Sequence, residues 1–234
     1  MDKKDALILD NVTKLYDDNR GIKAISSVMH QGEIISIIGP NGVGKTTLIK
    51  CIAGLLQPSE GLILLLGVST FERKCKSQIG YMQSNLDFYN KMTLYEILDF
   101  VCKVKYKGEF RDDINFYLKK YDLYEYRNSY VNELSLGMKK KFSIITSLLG
   151  TPKLILMDEP TNGVDTFGIL QLKDDLTKCS QKGSIIIITS HVLDFLEKVC
   201  TRCIFLKDGI VSKDILFKEG RIDLEQIYEK LYIS

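Results

Sequence analysis

The chain has 234 residues, long enough for one α/β domain with a sizeable core and a small inserted subdomain. It is 45% hydrophobic and 26% charged, ordinary for a soluble globular protein rather than a disordered one, and its formal net charge of +2 argues neither for nor against a nucleic-acid partner. The polar start Met1-Asp2-Lys3-Lys4-Asp5 lacks the apolar core of a signal peptide. The longest apolar runs, Leu62–Leu66 and Ile185–Ile188, fall far short of the ~20 residues of a spanning helix, so any membrane role needs a partner. The six cysteines are scattered and expected to be reduced. Cys200 and Cys203 form a lone C-x-x-C with no second pair beside it, which reads as ordinary packing.

In chain order, Ala6–Val12 and Ile22–Met29 read as strands on either side of the turn-prone Asp17-Asp18-Asn19-Arg20-Gly21. His30, before the Gln31-Gly32 turn, reads as structural or exposed. A third strand (Ile34, Ile35, Ile37, Ile38) runs into Gly39-Pro40-Asn41-Gly42-Val43-Gly44-Lys45-Thr46-Thr47, and a helical pattern follows (Leu48, Ile49, Ile52, Leu55). Leu62–Val68 is expected to be a short buried strand, and Ile79–Met82 another. From about Thr93 to Ser147 the apolar spacing turns helical, without a proline, which predicts an inserted helical subdomain of roughly 55 residues. Near-continuous apolar strands return at Lys153–Met157 and Ser184–Thr189, as in a sheet covered on both faces. Asp208-Gly209 predicts a hairpin, and Asp223–Tyr232 an amphipathic helix. The runs Lys103–Lys107 and Lys139–Lys141 read as solvated helix faces.

The chemistry concentrates at Gly39–Thr47, which reads G-x-x-x-x-G-K-T between a strand and a helix. The glycines let backbone N–H groups converge on a phosphate, and the helix start adds the positive end of its dipole. In such a loop Lys45 reaches the β- and γ-phosphates and the Thr46 hydroxyl holds Mg²⁺. The strand Leu154–Met157 ends in Asp158-Glu159. Two acids at a buried strand end call for a cation or hydrogen bonds, and they suit a metal-associated Asp158 and a water-activating Glu159. The strand Ile185–Ile188 delivers His191 to the same edge, where ligands of such sheets bind.

The succession of Tyr16, the phosphate loop, Leu134-Ser135-Leu136-Gly137-Met138, Asp158-Glu159, Asn162-Gly163-Val164-Asp165 and His191 resembles the ATP-binding cassette of ABC transporters from residue 6 to the end. The resemblance implies an α/β fold: a phosphate-loop NTPase core with an antiparallel β subdomain and an inserted helical subdomain. Residues 1–83 and 148–234 would form the core and 84–147 the insertion, within a single domain. It implies an ATPase using ATP and Mg²⁺, with Tyr16 on adenine, Gly39–Thr47 on the phosphates, Asp165 in the loop crossing a dimer interface and His191 at the γ-phosphate. Ser135 and Gly137 would bind the ATP of a second cassette, in a homo- or heterodimer. The signature departs from Leu-Ser-Gly-Gly-Gln at Leu136 and Met138, a variation shared with cassettes of the ABC-2 exporter type. The metal-contacting glutamine falls on Gln83, one residue early, or leaves its slot to Ser84.

The stretch Tyr89–Glu96 and the Thr161–Asp165 loop resemble exporter cassettes of the ABC-2 class, including bacitracin- and lantibiotic-resistance types, and the resemblance implies a separate membrane-spanning permease and a place at the inner face of the plasma membrane. A cassette acting on DNA or ribosomes is the rival reading, weakened by the single cassette and the lack of a basic stripe; nucleic acid is not an expected partner. A cassette that binds ATP but hydrolyses it poorly is the third.

Overall fold

A computed structural model describes residues 6–16, 20–82, 91–106, 110–217 and 223–233. The strands are β1 (Ala6–Leu15), β2 (Gly21–His30), β3 (Ile34–Ile38), β4 (Glu60–Leu65), β5 (Val68–Ser69), β6 (Ile79–Tyr81), β7 (Leu154–Asp158), β8 (Ile185–Thr189), β9 (Arg202–Lys207) and β10 (Ile210–Leu216). The helices are α1 (Lys45–Ile52), α2 (Arg73–Lys76), α3 (Leu94–Lys105), α4 (Arg111–Lys120), α5 (Leu136–Leu148), α6 (Thr166–Gln181), α7 (Leu193–Val199) and α8 (Leu224–Tyr232).

Four strands form an antiparallel sheet in the order β2-β1-β4-β5. Six form a second sheet, β10-β9-β3-β8-β7-β6, parallel throughout except for the β9–β10 hairpin. The central strands β3 and β8 are buried along their whole length, so both faces must be apolar. Their alternation divides the core in two. Ile35, Ile37, Leu154, Leu156, Ile185 and Ile187 pack with α1 and the antiparallel sheet. Ile34, Ile38, Ile155, Met157, Ile186 and Ile188 pack with residues of the helices that follow β6.

Among the described residues from 91 to 148 the structure is helical, as the apolar spacing predicts. Helix α3 is opened by a capping box: Thr93 Oγ1 accepts from the Glu96 N–H and the Glu96 carboxylate accepts from the Thr93 N–H. Helix α5 packs back onto β6 and β7, so its buried face is continuous with the sheet's core.

Two expectations are corrected. Leu62–Val68 is not one buried strand: Leu66 (φ 52°) and Gly67 (φ 80°) turn the chain and split it into the antiparallel β4 and β5. Nor is Lys139–Lys141 simply a solvated face, because Lys141 is buried and ion-paired to Asp165 at 2.6 Å. In the other lysine run, Lys103 pairs with Asp99 in solvent, whereas Lys105 donates to the Ile79 carbonyl at 2.9 Å. Gln83 and Ser84 lie outside the described residues. None of the described helices is long and apolar enough to cross a membrane.

Candidate nucleotide site

The parallel strands β3, β7 and β8 all end at one edge of the sheet, and the site is built there. After β3 the chain makes the tight loop Gly39–Gly44 and enters α1. Gly44 sits at φ 110°, where a side chain would meet Ile22 and the Gly21 carbonyl within 3 Å. Lys45 Nζ folds back over the loop and donates to the Gly39 and Pro40 carbonyls at 2.6 and 3.1 Å. Burial lowers its pKa, while the nearby Glu159 and Asp158 carboxylates work against that shift.

Thr46 Oγ1 donates to one Asp158 carboxylate oxygen at 2.7 Å, and Thr189 Oγ1, at the end of β8, donates to the other. The acid at the tip of β7 is thus joined to both the phosphate loop and the strand between them. Glu159 follows with φ 51°, an unusual conformation for a residue with a side chain. Its backbone N–H is held by the Thr189 carbonyl and hydroxyl at 3.1 and 3.0 Å. Its carboxylate lies beside His191: Oε1 is 3.2 Å from Nε2, and Oε2 accepts from the His191 backbone N–H at 3.3 Å. The Oε1–Nε2 approach is not aligned as a hydrogen bond, and among the described residues Oε1 has no hydrogen-bond donor.

These groups converge on a cleft of about 600 Å³, with half-exposed Tyr16 at its wall and Asn41, Gly42 and Gly44–Thr47 along it. Pro40 and Val43 face a neighbouring cavity on the other side of the loop, and Gly39 lies against the Leu206 carbonyl. The Thr46 hydroxyl and Asp158 carboxylate are hard oxygen donors that suit a small divalent cation shared with phosphate oxygens. Among the described residues no cluster of three or more His, Cys, Asp or Glu offers a cation site made by protein alone.

Ser135, Gly137 and Asp165 are not brought into this cleft. Ser135 caps α5 by accepting from the Met138 N–H at 3.3 Å, and Leu136 beside it is 71% exposed. Gly137 abuts the Gly163 carbonyl so closely that a side-chain carbon would sit 2.9 Å from that oxygen. Asp165 caps α6, accepting from the Gly168 N–H at 2.7 Å.

Residues 22–162, more than half of the chain, match the ABC transporter family. The chain belongs to that family. The cassette is 34% identical over 228 residues to the ABC transporter ATP-binding protein YtrB of Bacillus subtilis (strain 168), covering 95% of this chain and 73% of that protein. It is 29% identical over 213 residues to the bacitracin transport ATP-binding protein BcrA of Enterococcus faecalis, covering 90% and 69%. An ATP-binding subunit of an ABC transporter superimposes with a TM-score of 0.90 at 26% identity, over 97% of this chain and 99% of that one. A dimeric ATP-binding cassette in a post-hydrolysis state with ADP and Pi does so at 0.83 and 26%, over 92% and 100%. The cassette is an ABC-type ATPase by this membership.

Sequence reasoning did not pick out three groups in the cassette's site. Thr189 was legible as a hydroxyl ending an apolar strand, but its bonds to Asp158 and Glu159 depend on β7 and β8 being neighbours. Arg20 and Lys140 also line the cleft. Nothing in the sequence marks Lys140 apart from the lysines on either side of it.

Proposed function

We propose that this cassette is the ATP-hydrolysing subunit of a membrane exporter, working as a pair of cassettes beneath a separate membrane-spanning permease at the inner face of the plasma membrane. The observation that carries the reading is the meeting of Lys45, Thr46, Asp158, Glu159 and His191 in one cleft, while Ser135 and Gly137 stand outside it on an exposed helix start. One chain then holds the phosphates, and its signature face is left for the ATP of a second cassette. Similarity to a bacitracin transport protein supports the export assignment.

In the mechanism, Tyr16 stacks on the adenine. The loop N–H groups and the start of α1 receive the phosphates, and Lys45 exchanges its two carbonyl partners for phosphate oxygens. Thr46 and Asp158 would hold Mg²⁺, and the family resemblance offers Gln83, which follows β6 in the sequence, as a third candidate. The cation would draw charge from the phosphates. Glu159 accepts a proton from water as the water oxygen attacks the γ-phosphorus and the bond to the β–γ bridging oxygen breaks, leaving ADP and phosphate. His191 holds the Glu159 carboxylate in place and faces the transferred group. Asp165, at the head of α6, borders the second cassette. ATP closes the pair because its phosphates contact both chains, and hydrolysis releases them.

The test is Glu159→Gln. Turnover is expected to fall by at least about a hundredfold while ATP binding is retained and an ATP-dependent dimer accumulates on size exclusion. Near-wild-type hydrolysis would remove Glu159 from its role. Copurification of a membrane-spanning protein tests the partner, and recovery of ribosomes or DNA instead would refute transport.

A further inference from the structure

Two adjacent lysines of α5 reach the segment between β7 and α6, one at each end. Lys140 Nζ lies 3.5 Å from the Glu159 carbonyl oxygen, and its side chain lines the cleft that also holds Lys45 and Asp158. Lys141, which is buried, pairs with Asp165 Oδ2 at 2.6 Å. Glu159 needs support at both of its flanking peptide groups, since a left-handed conformation strains a residue with a side chain. Strand β8 holds the N–H, and Lys140 is placed to hold the carbonyl. The Lys140 ammonium also brings positive charge toward a cleft that carries two carboxylates.

We propose that Lys140 is a positioning residue for Glu159, tying the place of that carboxylate to the attitude of the signature helix in the same chain. Helix α5 is capped by Ser135, five residues or about 7.5 Å along the axis from Lys140. A ligand meeting the start of α5 thereby acts on the readiness of the chain's own Glu159. Lys141, holding Asp165, keeps the far end of the segment still while this happens. The proposal rests on the role given to Glu159 above.

The experiment measures steady-state turnover and equilibrium binding of a fluorescent ATP analogue on the full chain, for wild type, Lys140→Ala, Lys140→Arg and Glu159→Gln. Lys140→Ala is expected to lower kcat by about ten- to a hundredfold, the scale of a misplaced catalytic group, with KM and ATP affinity within about twofold. Lys140→Arg should restore most of the rate, because a guanidinium also donates to a carbonyl. Added to Glu159→Gln, Lys140→Ala should lower turnover no further. An unchanged kcat, a loss that Arg does not restore, or weaker ATP binding with kcat intact would each overturn the proposal. High turnover by Glu159→Gln alone would instead refute the role of Glu159, whatever Lys140 does.

Discussion

Asp165 uses its two carboxylate oxygens separately, one to cap α6 and one to pair with Lys141. The Lys141 hydrogen bond, and after it the Gly168 N–H, hold its carboxyl below the usual aspartate range. Asp165→Asn keeps an equally good cap and loses only the ion pair. Because Asp165 is more than half exposed, the expected loss is under about 1 kcal/mol by urea denaturation at pH 7. Asp165→Ala removes the cap as well, and about 1 kcal/mol more should follow. At this scale the phosphate loop, Asp158, Glu159 and His191 were legible because each sits at a motif position or strand end. Lys140 and Lys141 were not. A run of lysines on a helix gives no sign of which member turns toward a neighbouring segment until α5 is packed against it.

Between helices, the main polar tie lies where α4 meets α6. Buried Asp175 accepts from Lys120 Nζ at 2.5 Å and from the Tyr121 hydroxyl at 2.9 Å, and Asp174 receives Lys120 as well at 2.8 Å. Burial pushes the Asp175 carboxyl up, against the opposing pull of Lys120 and Tyr121. Asp175→Ala would leave an ammonium and a buried hydroxyl short of a partner, and is expected to cost about 3 kcal/mol of unfolding free energy in urea denaturation. Tyr121→Phe should cost about 1–2 kcal/mol, since only one bond to a charged acceptor is lost. Elements announced by long periodic patterns, such as α3 and α5, could be read in advance. Helix α6 carried the same kind of signal, an Asp165 cap followed by Ile169, Leu172 and Leu176, but it stood behind the more conspicuous acid pair and was not singled out. The four-residue α2 has no amphipathic face to betray it.

Over the whole molecule, the two packed layers leave no cysteine at the surface: all six are buried and none is in a disulfide. Burial raises the thiols of Cys51, Cys102 and Cys179 to about 11, so at pH 8 roughly one in a thousand of each is the reactive thiolate. Cys200 is raised well above the ordinary thiol range by its hydrogen bond with Cys203 and by burial. The folded chain is therefore expected to react with a thiol reagent at less than one group per chain at pH 8, and at all six after unfolding in guanidinium. Prompt labelling of a native cysteine would mean that one of the layers opens. The sheet order also bears on synthesis. Strand β3, which carries the phosphate loop, pairs with β8 and β9 and with no strand made before them. Ile34 waits for Ile186, and Ile35 for Arg202. On the ribosome the loop that holds the phosphates therefore emerges early but has no sheet to stand on until β8 and β9 are out. The growing chain cannot seat a nucleotide before β8 and β9 have been made, so a bound ATP reports that the sheet beneath the loop is assembled.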